Sequence, residues 1–141
     1  MKTPGADWTR ARTGAPEGRG TPSVLVVDDD RMMRILVTRT LKAEGFEVRG
    51  AANATEARLE LNKPGPRVDL VLTDIVMPGG MGSDLATEIR ASHPVLPVLC
   101  MTSYTTQDLT AHGIDPKGSR ILQKPFMPAE LVRLVREALR A

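Results

Sequence analysis

The sequence predicts an α/β domain: a five-stranded parallel sheet wound with helices on both faces. Two observations carry that expectation. From Thr21 onward, five short apolar runs alternate with five amphipathic stretches, and four of the runs stop at a residue able to do chemistry. Strands covered on both faces read as continuous Val, Leu and Ile rather than as alternating patterns. Alternation with helices brings each strand back parallel through a right-handed crossover.

The apolar runs are Val24–Val27, Phe46–Val48, Val68–Thr73, Pro97–Met101 and Arg120–Gln123. The first helix is expected from about Arg31 to Glu44, with Asp30 where an N-cap belongs and Gly45 free to take the left-handed C-cap. Asn53-Ala-Thr-Glu56 has the spacing of a capping box and opens the second helix. The third covers about Ser83 to Ser92 and is closed by Pro94. Thr105 to His112 makes a fourth that is short, and Gly113, Pro116 and Gly118 follow at once, so an irregular or mobile element is expected there. The fifth starts at Pro128 and sets Leu131, Leu134, Val135, Ala138 and Leu139 on one stripe. One architecture of this size is the flavodoxin-like doubly wound sheet of order 2-1-3-4-5.

A chain of 141 residues suits one domain with one proper core. Its formal charge of +2 is unevenly placed. Residues 1–22 hold Lys2, Arg10, Arg12 and Arg19 against Asp7 and Glu17, which leaves 15 basic and 15 acidic side chains in the remainder. The body therefore lacks the basic bias that nucleic-acid binding favours, and no nucleic-acid partner is expected. Residues 1–22, with seven Gly or Pro, read as a flexible tail, and 23–141 as the folded domain. No apolar run approaches the ~18 residues of a membrane span, and no secretory leader is visible. The single cysteine, Cys100, excludes an internal disulfide. A cytoplasmic protein without membrane contact is expected.

The residues at the ends of the runs are Asp28 and Asp29, then Asp74, Thr102 and Lys124. In a parallel sheet these ends share one edge, where ligands bind. Three neighbouring carboxylates repel each other, and a hard dication such as Mg²⁺ relieves that while leaving positions for phosphate oxygens. An aspartate can serve as a covalent nucleophile. Phosphoryl transfer asks mainly for positioning and for neutralised charge, which Lys124 and the Thr102 hydroxyl would supply.

Val24-Leu-Val-Val-Asp-Asp-Asp30, Asp69-Leu-Val-Leu-Thr-Asp74-Ile-Val-Met-Pro78, Met101-Thr102-Ser103 and Lys124-Pro125-Phe126 resemble, in order and spacing, the receiver domains of two-component response regulators. The wording around Thr102 and Lys124 is most similar to receivers of hybrid histidine kinases. The resemblance implies that Asp74 is phosphorylated by a histidine kinase or histidine phosphotransfer protein. It implies that Asp29, Asp74 and the main-chain carbonyl of Val76 bind Mg²⁺ directly and that Asp28 acts through a bound water. Thr102 and Lys124 would contact the phosphoryl oxygens, and the Lys124–Pro125 bond would be cis. It further implies a signalling protein whose only catalysis is its own phosphorylation and dephosphorylation, and an output by protein contact or as a phosphate reservoir.

Departures from the family pattern are informative. Ile121 stands where many receivers have a switching Tyr or Phe. Gly79-Gly-Met-Gly82 lacks a frequent Asp, and the fourth helix is weak. Val76 and Tyr104 offer no carboxylate or amide to position water, so slow self-hydrolysis is expected. Met32 and Met33 read as helix packing and a partner surface, Cys100 as a buried hydrophobe, and His93 and His112 as uninvolved in catalysis. The competing reading is a haloacid-dehalogenase-type phosphatase with Asp28 as nucleophile and Asp30 as acid. It leaves Asp74-Ile-Val-Met-Pro unexplained.

Overall fold

In a computed structural model, residues 21–64, 67–74, 76–77, 80–111 and 120–140 are described, with main chain alone at 76–77, 80–84 and 106. The expected tail, with Trp8, lies outside the described residues apart from Thr21 and Pro22. Five strands form one parallel sheet: β1 (Ser23–Val27), β2 (Glu47–Ala51), β3 (Leu70–Asp74), β4 (Val98–Thr102) and β5 (Ile121–Gln123). Their spatial order is β2-β1-β3-β4-β5, the flavodoxin-like winding expected from the sequence. A two-residue ribbon, Val76–Met77 paired antiparallel with Gly80–Met81, follows β3.

The helices are α1 (Arg31–Ala43), α2 (Ala54–Asn62), α3 (Gly82–Ser92), α4 (Thr106–Ala111) and α5 (Pro128–Arg140). α4 is short, as expected, and His112 with the following Gly/Pro stretch lies outside the described residues.

Local chemistry sets these boundaries. The Asp30 side chain accepts from the main-chain N–H of Met32 at 3.0 Å and of Met33 at 3.3 Å, so it caps α1. At the other end Gly45 takes φ 96°. Its N–H donates to Lys42 and that of Phe46 to Leu41, a Schellman closure. Asn53 Oδ1 accepts from the Glu56 N–H, and the Glu56 carboxylate reaches back to the Ala52 N–H, at 2.9 and 2.8 Å. Asp30→Ala removes a cap and is expected to cost about 1 kcal/mol, read as a lower midpoint in urea with an unchanged slope.

The core is split by the sheet. Val24, Val26, Leu70, Leu72, Leu99, Met101 and Leu122 pack against Val37 and Leu41 of α1 and Leu131 and Val135 of α5. The intervening residues Leu25, Val27, Val71, Val98 and Cys100 face Ala57 of α2, Leu85 and Ile89 of α3 and Leu109 of α4. Both faces are covered, which is why β1 is buried at every position. Each fully buried Val or Leu stabilises the fold by roughly 1.5–3 kcal/mol, so the sheet edge is a rigid platform.

Candidate functional site

The register brings the expected residues to one level. Val27 lies opposite Thr73, Asp74 opposite Met101, and Thr102 opposite Gln123. Asp28 and Lys124, each one residue beyond a paired strand end, therefore emerge beside Asp74 and Thr102. Asp28, Asp29 and Asp74 each present a carboxylate oxygen, and these atoms lie within 4.8 Å of one another. The Lys124 ammonium reaches Asp28 Oδ2 at 3.0 Å and Asp74 Oδ2 at 3.5 Å.

Asp28 is wholly buried and held on all sides. Its N–H donates to the Ala51 carbonyl at 3.1 Å, and its Oδ1 accepts from the Asp30 N–H at 2.9 Å. Its own carbonyl accepts from Arg34 Nη1 at 2.7 Å. With Oδ1 on a peptide N–H and Oδ2 on Lys124, both carboxylate oxygens of Asp28 are engaged. Asp29 is exposed and Asp74 is half-buried. Arg34 is a contributor that sequence reasoning missed. A side chain reaching back six residues leaves no periodic trace, and the only available signal was a cation in the first turns of a helix.

Thr102 is buried, and its Oγ1 accepts from the Tyr104 N–H at 2.9 Å. That contact occupies the oxygen and leaves the hydroxyl hydrogen for an incoming anion. The Lys124 N–H donates to the Thr102 carbonyl at 2.7 Å, which ties the two residues together, and the Lys124–Pro125 bond is cis, as expected. Val76 begins the short ribbon just beyond Asp74, where only main chain is described.

Other residues fall elsewhere. Asp30 spends its carboxylate on capping α1, as expected, which removes it as an acid for phosphatase chemistry. Ile121 and Tyr104 are partly buried against the core below the sheet, and Gln123 Nε2 donates to the Tyr104 carbonyl at 2.8 Å. His93 sits just past the end of α3, with Nδ1 3.0 Å from the Ser92 hydroxyl. His112 lies outside the described residues.

Burial pushes the Cys100 thiol up to about 11, with Arg90 opposing and Asp74 adding to the shift. The thiol is a small hydrophobe, as expected. A raised folded-state value means that its contribution to stability is complete below pH 9 and is lost as pH rises through 11. Over that window wild type is expected to lose about 2 kcal/mol more than Cys100→Ala, in urea titrations at stepped pH.

Three converging carboxylates face one ammonium, a donor set of oxygens with excess negative charge. Such a set fits a hard dication that keeps several waters, and fits Zn²⁺ or a soft metal poorly. Electrostatically the site is suited to a phosphoryl group that enters with such a cation.

The family described as response regulator receiver domain matches residues 24–136. The DNA-binding response regulator MtrA of Mycobacterium leprae is 35% identical over 117 residues, 83% of this chain and 51% of that protein. The chain thus spans about half the length of the curated relatives it matches. Among solved structures, the response regulator TrrA of Thermotoga maritima, in complex with Mg²⁺–BeF, is 33% identical with a TM-score of 0.69, over 84% of this chain and 99% of that one. The receiver domain of the hybrid histidine kinase CckA is 28% identical with a TM-score of 0.68, over 83% and 98%. No helix among the described residues is long and apolar enough to cross a membrane.

Proposed function

Because this chain belongs to the response regulator receiver domain family, we propose that Asp74 is its phosphoacceptor, served by Asp28, Asp29, Thr102 and Lys124. The observation that carries this reading is the meeting of three carboxylates with one ammonium at the ends of three strands. An Asp74 carboxylate oxygen attacks the phosphorus of a phosphohistidine on a histidine kinase or histidine phosphotransfer protein. The P–O bond forms as the P–N bond breaks, and the electron pair returns to the imidazole nitrogen, which takes a proton from water. Lys124 then turns from Asp28 and Asp74 toward the phosphoryl oxygens, and Thr102 donates its free hydroxyl hydrogen to one of them. Asp29, Asp74 and the Val76 carbonyl would hold Mg²⁺, with Asp28 behind a bound water, and the ion would supply positive charge to the carboxylate and phosphoryl oxygens.

The donor must approach over the rim of the site. Met32 and Leu36, one turn apart on α1, are 72% and 48% exposed, and Met127, just past Lys124-Pro-Phe, is 71% exposed. Apolar side chains so placed suit a protein partner. The DNA binding in the name of MtrA belongs to that protein. For residues 23–141, with balanced charge, our reading assigns no nucleic-acid contact, a cytoplasmic setting, and output by protein contact or as a phosphate reservoir. It also assigns no catalysis beyond the chain's own phosphorylation and dephosphorylation.

The test is intact mass after incubation with acetyl phosphate. One phosphoryl group is expected with Mg²⁺ and none with chelator; equal labelling in both would count against the reading. Hydrolysis of the product is expected to be slow, because Val76 and Tyr104 offer no carboxylate or amide to position water. Val76→Asn is expected to speed the decay at least ~tenfold, since one positioned group contributes that much or more. The phosphatase alternative predicts that Asp30→Ala blocks phosphate chemistry and that turnover of a generic phosphate ester survives Asp74→Ala. Our reading predicts the reverse on both counts.

A further inference from the structure

Arg34 occupies a costly position. It lies in the first turns of α1, where the helix dipole disfavours a cation, and no acidic residue of that first turn offsets it. Its side chain is nevertheless half-buried and turned back toward the strand end, with Nη1 on the Asp28 carbonyl at 2.7 Å. The stem passes beside Gly50 of β2, where a Cβ would stand 3.9 Å from Arg34 Cδ, an ordinary van der Waals contact. The bond grips the peptide that joins Asp28 to Asp29. The N–H of Asp28 is already fixed by Ala51 and the N–H of Asp30 by the Asp28 carboxylate. The guanidinium thus closes the third restraint on a turn whose exposed member, Asp29, depends on the main chain for its aim.

We propose that Arg34 is a positioning residue for the acidic cluster. It orients the Asp28–Asp29 peptide so that the Asp29 carboxylate faces Asp74. This inference rests on the proposed Mg²⁺-dependent phosphoacceptor function and deepens it. Arg34 acts through its bond to the Asp28 carbonyl and is assigned no ligand role.

The experiment is calorimetric titration of the full chain with Mg²⁺, alongside its melting temperature and the rate of labelling by acetyl phosphate at saturating Mg²⁺. Arg34→Met keeps the stem and loses the grip, and it is expected to weaken Mg²⁺ binding about tenfold, as loss of an outer-shell contact does. Saturating Mg²⁺ is expected to bring its labelling rate back to within about twofold of wild type, because the reacting groups are intact. Arg34→Lys keeps charge without the fork, and an intermediate affinity is expected. Leu41→Ala, a core change on the same helix, is the control: it lowers the melting temperature and leaves Mg²⁺ affinity unchanged. An affinity for Arg34→Met or Arg34→Lys equal to wild type overturns this inference and leaves the function standing. So does a loss of affinity in Leu41→Ala as large as that in Arg34→Met. Failure of wild type to bind Mg²⁺ overturns the function and this inference together.

Discussion

Asp74→Ala is expected to abolish phosphoryl acceptance and to leave the domain folded. Among the described residues, the substitution removes the only carboxylate placed both beside Lys124, at 3.5 Å, and within reach of solvent on the strand next to β1. Asp28 cannot substitute, because it is wholly buried and both of its oxygens are engaged. Among the described residues, Lys124 pairs with Asp28 and Asp74 and not with Asp29. The expected labelling by acetyl phosphate is therefore at background rather than merely reduced. Stability should move the other way. With Mg²⁺ absent, three neighbouring carboxylates repel, and removing one relieves the other two. A melting temperature at or above that of wild type is expected in chelator. Residual labelling above background would show that another group accepts the phosphoryl.

Lys124→Met carries the second large effect, and it acts on both stability and rate. Its ammonium is the partner of Asp28 Oδ2 at 3.0 Å, and the Asp28 side chain is fully buried. Removing one member of such a pair strands a charge in a poorly solvated place, which costs up to roughly 3–5 kcal/mol. Lys124 keeps 16% of its side chain exposed, so water recovers part of that. A loss of about 2–3 kcal/mol is expected in chelator. Mg²⁺ at about 100 times its dissociation constant is expected to return up to about 2.7 kcal/mol, since ligand binding to the native state adds stability by mass action. The rate of labelling should still fall about 100-fold, as for loss of one preorganised electrostatic contact to the moving phosphoryl group. Urea unfolding with and without Mg²⁺ separates the two effects. Stability equal to wild type in chelator would mean that Lys124 does not hold Asp28.

Much of the site was legible because chemistry and burial change at the same residue. Val24–Val27 is covered on both faces, so a polar residue at 28 had to mark the sheet edge, and the same logic placed Asp74, Thr102 and Lys124. The caps were legible too, because Asp30, Asn53 and Gly45 act on main chain within a few residues. The edge strand was harder. β2 runs Glu47–Ala51, one residue later at its start and three at its end than the apolar run Phe46–Val48. Phe46 leaves the strand to pack in the core under α1, while Arg49 and Gly50 carry the pairing with β1. On an edge less burial is demanded, so hydrophobicity is a poor guide to extent. β3 likewise starts at Leu70 rather than Val68, with the Asp69 carboxylate spent on the Ser23 N–H at 2.8 Å. Arg34 was not legible at all, since its grip on Asp28 depends on a turn that only the folded chain makes.

The most direct measurement traps the phosphorylated protein with borohydride, which reduces an aspartyl phosphate to homoserine, and then maps the modified residue by peptide mass spectrometry. Homoserine at position 74 alone is the expected result. Homoserine at 28, 29 or 30, or phosphate on any histidine, would contradict the assignment of the acceptor on which the roles of Asp28, Asp29, Thr102 and Lys124 depend.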